Sequence, residues 1–112
     1  DMEKNITKLL IHISAADGYL SEVEIEKAYE ELSNNYKITR NDFDSYVDEF
    51  FEETFSIEDY LMSLKDLSDP ETFLKSCYKS AASDDFDIRE NFAFSKTCDF
   101  FGIDPDLIIQ DA

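Results

Sequence analysis

One ten-residue phrase is written twice in this chain. Ala15-Ala16-Asp17-Gly18-Tyr19-Leu20-Ser21-Glu22-Val23-Glu24 aligns without a gap on Ala81-Ala82-Ser83-Asp84-Asp85-Phe86-Asp87-Ile88-Arg89-Glu90, at a constant offset of 66 residues. In the first copy Ser21 and Glu24 have the spacing of a capping box, in which the hydroxyl accepts one free amide of a new helix and the carboxylate reaches back to another. Leu20 and Ile25 stand where a hydrophobic staple closes over such a box. Asp17-Gly18 is a turn dipeptide, and glycine takes the positive φ that stops the preceding helix. In the second copy Asp87 replaces Ser21 as the cap, Phe86 replaces Leu20, and Glu90 keeps the place of Glu24. The chain therefore repeats one helix-turn-helix unit.

Such a repeat leaves little freedom for the rest, because only two glycines and two prolines are available for loops. Ten Phe, six Tyr and a hydrophobic fraction of 43% argue for a packed core rather than disorder. Ile6, Leu9, Leu10, Ile13 and Ala16 predict a helix from about Glu3 to Ala16. Ile25, Ala28, Tyr29 and Leu32 predict a second from Ser21 to about Asn35. After the caps at Thr39-Arg40-Asn41-Asp42, the spacing of Phe43, Val47, Phe50, Phe51 and Phe55 predicts a buried stripe. Ser56 with Asp59 restarts the chain into a fourth helix carrying Ile57, Tyr60, Leu61, Leu64 and Leu67. Ser68-Asp69-Pro70-Glu71 opens a fifth, which carries Phe73, Leu74, Cys77, Tyr78 and Ala81. A sixth runs from Asp87 to Phe101 and stops at Gly102, and Asp104-Pro105 caps a seventh to about Gln110. The expected fold is a compact all-α bundle of about seven short helices, a single domain over 1–112, with helices one and two paired, five and six paired, and three and four bridging them.

Charge restricts the partners. Twenty-seven acidic residues against ten basic ones give −17, which excludes binding to nucleic-acid phosphates or to an anionic membrane surface. The partners that remain are cations and basic proteins, the latter including proteins that meet the chain as a nucleic-acid mimic. The plain alternative is that the acids solvate the surface. Cys77 and Cys98 have no CxxC neighbour and read as buried thiols. No signal-peptide pattern is present and no apolar run approaches the roughly 20 residues that span a bilayer, so cytoplasmic residence is expected.

The phrase Ala16-Asp17-Gly18-Tyr19-Leu20-Ser21-Glu22-Val23-Glu24 resembles the signature of the tellurite-resistance TerB-like family: an alanine-rich helix, Asp-Gly, an apolar residue, Ser and then Glu. That pattern also has a second turn near the C-terminal end followed by a helix exit, here Phe100-Phe101-Gly102-Ile103. The resemblance implies an all-helical bundle, acidic turns that bind divalent metal, a stress-response or accessory role, and no defined enzymatic reaction. Carried over by position, it places Asp17 and Glu24 at the first turn. At the second turn Ser83 stands where the aspartate is expected and Asp84 where the glycine is expected, so Asp84, Asp87 and Glu90 complete the candidate set for Ca2+ or Mg2+.

An EF-hand fails here in a definite way. With Glu24 at loop position 12, Gly18 and Asp17 fall at 6 and 5 as required, but positions 1 and 3 become Ile13 and Ala15, which offer no side-chain oxygen. A cation would need ligands shared between the turns, or completed by backbone and water, and affinity would be weak. Capping alone also accounts for Glu24, and turn formation for Asp17. The two roles are compatible, because a capping box uses one carboxylate oxygen and leaves lone pairs free. Packed side by side, the two hairpins would gather Asp17, Glu24, Asp84, Asp87 and Glu90 into a cluster that repels itself without a cation. His12, the one histidine, has no partners at catalytic spacing and reads as structural. Of the adjacent Phe100 and Phe101, one is expected to be exposed.

Overall fold

Each helix begins on an Asp, Ser or Thr whose side chain accepts a backbone amide of the first turn. These caps set the boundaries, because they satisfy donors that a helix start leaves free. The computed structural model describes all 112 residues: α1 (Met2–Ser14), α2 (Glu22–Asn35), α3 (Arg40–Glu52), α4 (Ile57–Ser63), α5 (Pro70–Ala81), α6 (Ile88–Phe101) and α7 (Pro105–Asp111). A short 3-10 turn, Ala82–Asp84, continues directly from α5. There is no strand. Gly102 closes α6 in the left-handed conformation at φ 71°, as expected of a C-terminal glycine.

The core is built around α1 and α5, the first helices of the two repeats. Ile6 through Ile11, Ile13 and Ser14 are all buried on α1, so this helix is surrounded on nearly every side. On α5 Phe73, Leu74, Cys77 and Ala81 are fully buried, and Leu32, Phe43, Leu64 and Phe94 close in from α2, α3, the end of α4 and α6. The two central helices touch at equivalent residues: the Oγ atoms of Ser14 and Ser80, 66 positions apart, lie 3.2 Å from each other. That contact marks a pseudo-twofold relation between the repeats.

Three details differ from the sequence expectation. α2 packs mainly across α5 rather than pairing with α1, which is buried against α3, α4 and α5 and has no single face to offer. α4 ends at Ser63 instead of continuing to Leu67, and Leu64 enters the core from its cap. The aromatic stripe on α3 is narrower than its spacing suggested. Phe43 is buried and Val47 and Phe50 are partly buried, but Phe51 and Phe55 are 58% and 57% exposed. α3 packs mainly on α1, and Phe51, one residue round from Phe50, falls outside that contact. Phe55 lies beyond the helix end at Glu52. Of the Phe100-Phe101 pair, Phe100 is the exposed member, at 38%.

Candidate functional site

The crossing of α1 and α5 carries the turn after α1 to the start of α6. In that turn Asp17 accepts the amide of Tyr19 on Oδ1 at 3.0 Å, and Gly18 follows with φ 86°. No atom lies within 4 Å of where a Gly18 Cβ would be, so glycine is required by backbone conformation and not by space. At the head of α6, Asp87 accepts the Glu90 amide at 2.9 Å, and Glu90 in return accepts the Asp87 amide at 3.3 Å. Carboxylate oxygens of Asp17, Asp87 and Glu90 thereby come within 4.8 Å of one another. Each acid uses one oxygen on a backbone amide: Oδ1 of Asp17, Oδ1 of Asp87 and Oε1 of Glu90. Their second oxygens include Oε2 of Glu90, which is buried without a partner, and Oδ2 of Asp87, which meets only Arg89 at 3.4 Å.

Behind this cluster lies a second pairing of repeat equivalents. Glu24 is 3% exposed and Glu90 is fully buried, each holding its own capping box. The two side chains meet closely enough to hydrogen-bond when one is protonated. As carboxylates both leave an Oε2 buried and unpartnered. Burial, then the hydrogen bond to Glu24 and the charges of Glu24 and Asp17, push the Glu90 carboxyl up to about 8, against the opposing pull of the Asp87 amide. Two buried carboxylates in contact need a proton, or a cation alongside, to coexist.

Of the acids singled out in the sequence, the fold brings Asp17, Asp87 and Glu90 together, and Glu24 borders them through Glu90. Asp84 stays outside: it is exposed at the end of the 3-10 turn, and its oxygens do not join the cluster. The 3-10 turn that holds it packs on α5 and α2, away from the start of α6. The offset of 66 would put positive φ at Asp84, opposite Gly18, but it falls at Asp85, at φ 59°. Ser83, at the offset position of Asp17, turns its hydroxyl back onto the Ser80 carbonyl at 2.6 Å.

A family model described as tellurite resistance protein TerB matches residues 3–110. The chain belongs to the TerB family. No curated protein and no solved structure matches it. The all-helical TerB architecture and the repeated turn agree with the resemblance seen in the sequence. No helix of this TerB domain is long and apolar enough to cross a membrane.

Sequence reasoning did not find one polar site of the TerB domain. Between α1, α3 and α4 a cleft of about 500 Å3 is lined by Lys4, Lys8, Glu49, Glu53 and Tyr60, among others. The Lys8 side chain is only 5% exposed; it pairs with Glu53, which also accepts the Tyr60 hydroxyl at 2.7 Å. Its signal was a lysine inside the most apolar helix. Within the cleft the lysines and glutamates pair with one another. His12 sits beside it, half-buried, with its ring edge-on to Phe50 and Tyr60. Burial lowers its pKa and favours the neutral imidazole. Cys77 and Cys98 are free buried thiols, and burial raises the pKa of both.

Proposed function

We propose that this TerB domain is a non-enzymatic binder of a hard divalent cation, Ca2+ or Mg2+, with Asp17, Asp87 and Glu90 as the protein ligands. The observation that carries this reading is the convergence of three carboxylates, one of them fully buried with an unpartnered Oε2. An all-oxygen donor set favours these ions over softer metals. Each acid retains an oxygen while its other one caps or braces the backbone, so the fold and the ion make no competing demand on it. Glu24 supports Glu90 from behind and Asp84 stands away from the ligands. Three carboxylates fall short of the six to eight oxygens that Ca2+ takes, so water or backbone carbonyls complete the shell and affinity is weak. A stress-response or accessory role in the cytoplasm, as the family resemblance implies, fits a domain whose state follows a cation.

A ligand selective for the native state raises the unfolding midpoint. A thermal melt in EDTA, repeated with millimolar Ca2+ or Mg2+, is expected to show an upward shift that disappears in Asp17→Asn/Glu90→Gln. An unchanged wild-type midpoint, or an equal shift in the variant, rejects the site.

A second reading, that the acidic surface engages a basic protein, is favoured by the exposed Glu22, Glu26 and Glu30 on α2 and Asp42, Asp44, Asp48 and Glu52 on α3. It calls for salt-sensitive binding of polylysine that survives chelation. Failure to bind at low salt removes it.

A further inference from the structure

The outer face of α6 departs from that of its repeat equivalent, α2. At the constant offset of 66 residues Ile88, Phe92 and Lys96 correspond to Glu22, Glu26 and Glu30, each set rising along its helix in steps of four. The three glutamates are exposed and line a groove along α2 together with Val23. The equivalent positions on α6 line a groove of about 370 Å3, where Ile88, Arg89, Phe92 and Lys96 are joined by Ala16 beyond α1 and Ile57 at the start of α4. Ile88 is 82% exposed and Phe92 71%. One helix face is thus acidic in the first repeat and apolar in the second. Folding does not demand apolar side chains there, because α2 forms with glutamates in the same places.

The α6 groove also differs from its surroundings in charge. Its lining holds no carboxylate, whereas each of the other three clefts holds at least two glutamates. In a chain of 27 acidic and 10 basic residues, the formally charged side chains of this groove are both cations, Arg89 and Lys96. They stand seven residues apart, about two helical turns. Arg89 lies 3.4 Å from Asp87 and Lys96 2.9 Å from Glu58, and these exposed pairs contribute little and exchange readily for a carboxylate from outside. An apolar strip between two cations two turns apart matches an amphipathic helix whose apolar residues are flanked by acids. A second copy of the chain does not supply this. Its α2 brings the glutamates but only Val23 as an exposed large apolar side chain, and two copies at −17 repel each other.

We infer that the groove along α6 is a docking site for an acidic amphipathic helix of a partner protein, which packs its apolar residues on Ile88 and Phe92 and sets its carboxylates against Arg89 and Lys96. This surface is separate from the acidic faces of α2 and α3, and it requires no bound cation.

Fluorescence anisotropy in EDTA at physiological ionic strength tests it with two labelled synthetic peptides of about 20 residues, long enough to form helix in water. Both carry Leu at i, i+3, i+4 and i+7 spacing, and they differ in having Glu or Gln at the flanking positions. A chain of −17 repels the Glu peptide except at exposed cations, so non-specific charge works against the expected result. Wild type is expected to bind the Glu peptide. Ile88→Glu/Phe92→Glu, which gives α6 the residues that α2 has in the same places, is expected to weaken that binding by roughly tenfold or more. Arg89→Gln/Lys96→Gln is expected to weaken the Glu peptide by about fivefold and the Gln peptide by less than about twofold. Far-UV circular dichroism checks folding, and if Ile88→Glu/Phe92→Glu fails to fold, Phe92→Ala reads the same loss. No binding of the Glu peptide by wild type, unchanged binding in the folded apolar variant, or equal losses for both peptides in Arg89→Gln/Lys96→Gln overturns the inference. A wild-type dimer in sedimentation velocity that is lost in Ile88→Glu/Phe92→Glu also overturns it, in favour of a second copy as the occupant. None of these outcomes bears on the cation-binding reading.

Discussion

The two turns share a scaffold and differ in charge. Both place a capping-box glutamate in the interior, and both start a helix on a side-chain cap with nearly the same dihedral angles. Only the first turn contributes an aspartate that faces the other repeat's helix start, and only the second uses aspartate as its cap. The buried box glutamate is common to both copies and belongs first to folding, and the two aspartates that occur once, Asp17 and Asp87, are what set the two turns apart. Burial sharpens the distinction. The unrelated box of Ser56 with Asp59 is exposed, whereas the glutamates of the repeated boxes are not, although exposure makes no difference to capping itself.

The largest separation of the two turns is expected in the presence of a cation. At a concentration a hundredfold above Kd, wild type gains about 2.7 kcal/mol from linkage, roughly 10 °C in midpoint for a domain of this size. Asp87→Ala is expected to forfeit that whole increment, and Ser21→Ala to keep it. Melts in EDTA and in Ca2+ measure both.

Next in size is the dependence on pH in the presence of a chelator. Glu90 has a folded pKa of about 8 against its ordinary 4.5, so the folded state binds the proton more tightly than the unfolded one. Its contribution to stability is present below about 4.5 and is lost as pH rises through about 8. Urea melts at pH 5 and pH 8.5 should show wild type weakening with pH and Glu90→Gln weakening much less. Equal slopes would mean that no proton is held between Glu24 and Glu90.

Much of this was legible beforehand. The caps gave the helix starts, and the offset of 66 named Asp17, Glu24, Asp87 and Glu90 as one set. The packing of α2 on α5 was not legible, because apolar spacing shows which face is buried and not what covers it. The exposure of Phe51 and Phe55 escaped for the same reason. Asp84 was drawn into the set by sequence position, but the turn that carries it packs on α2 and α5 and not at the head of α6. The signal for the pseudo-axis was present but unused: Ser14 and Ser80 obey the same offset one residue before the aligned phrase.

Smaller effects test the shared scaffold. In EDTA, Ser21→Ala and Ser56→Ala are each expected to cost about 1 kcal/mol as lost caps, with no change in cation response. Smallest is the axis itself. Ser14→Ala alone is expected to cost about 1 kcal/mol, whereas Ser14→Ala/Ser80→Ala is expected to come close to wild type, since removing both partners leaves no hydroxyl waiting for its pair. Urea denaturation resolves both, and a double variant much weaker than the single one would show that the contact is not pairwise.

The most direct test is to locate the ion. Crystals soaked in Mn2+, an anomalous stand-in for Mg2+ or Ca2+, are expected to show one anomalous peak at about 2.0–2.6 Å from oxygens of Asp17, Asp87 and Glu90. A map with no peak at that turn, or with peaks only along the exposed acids of α2 and α3, would contradict cation binding by the repeated turn.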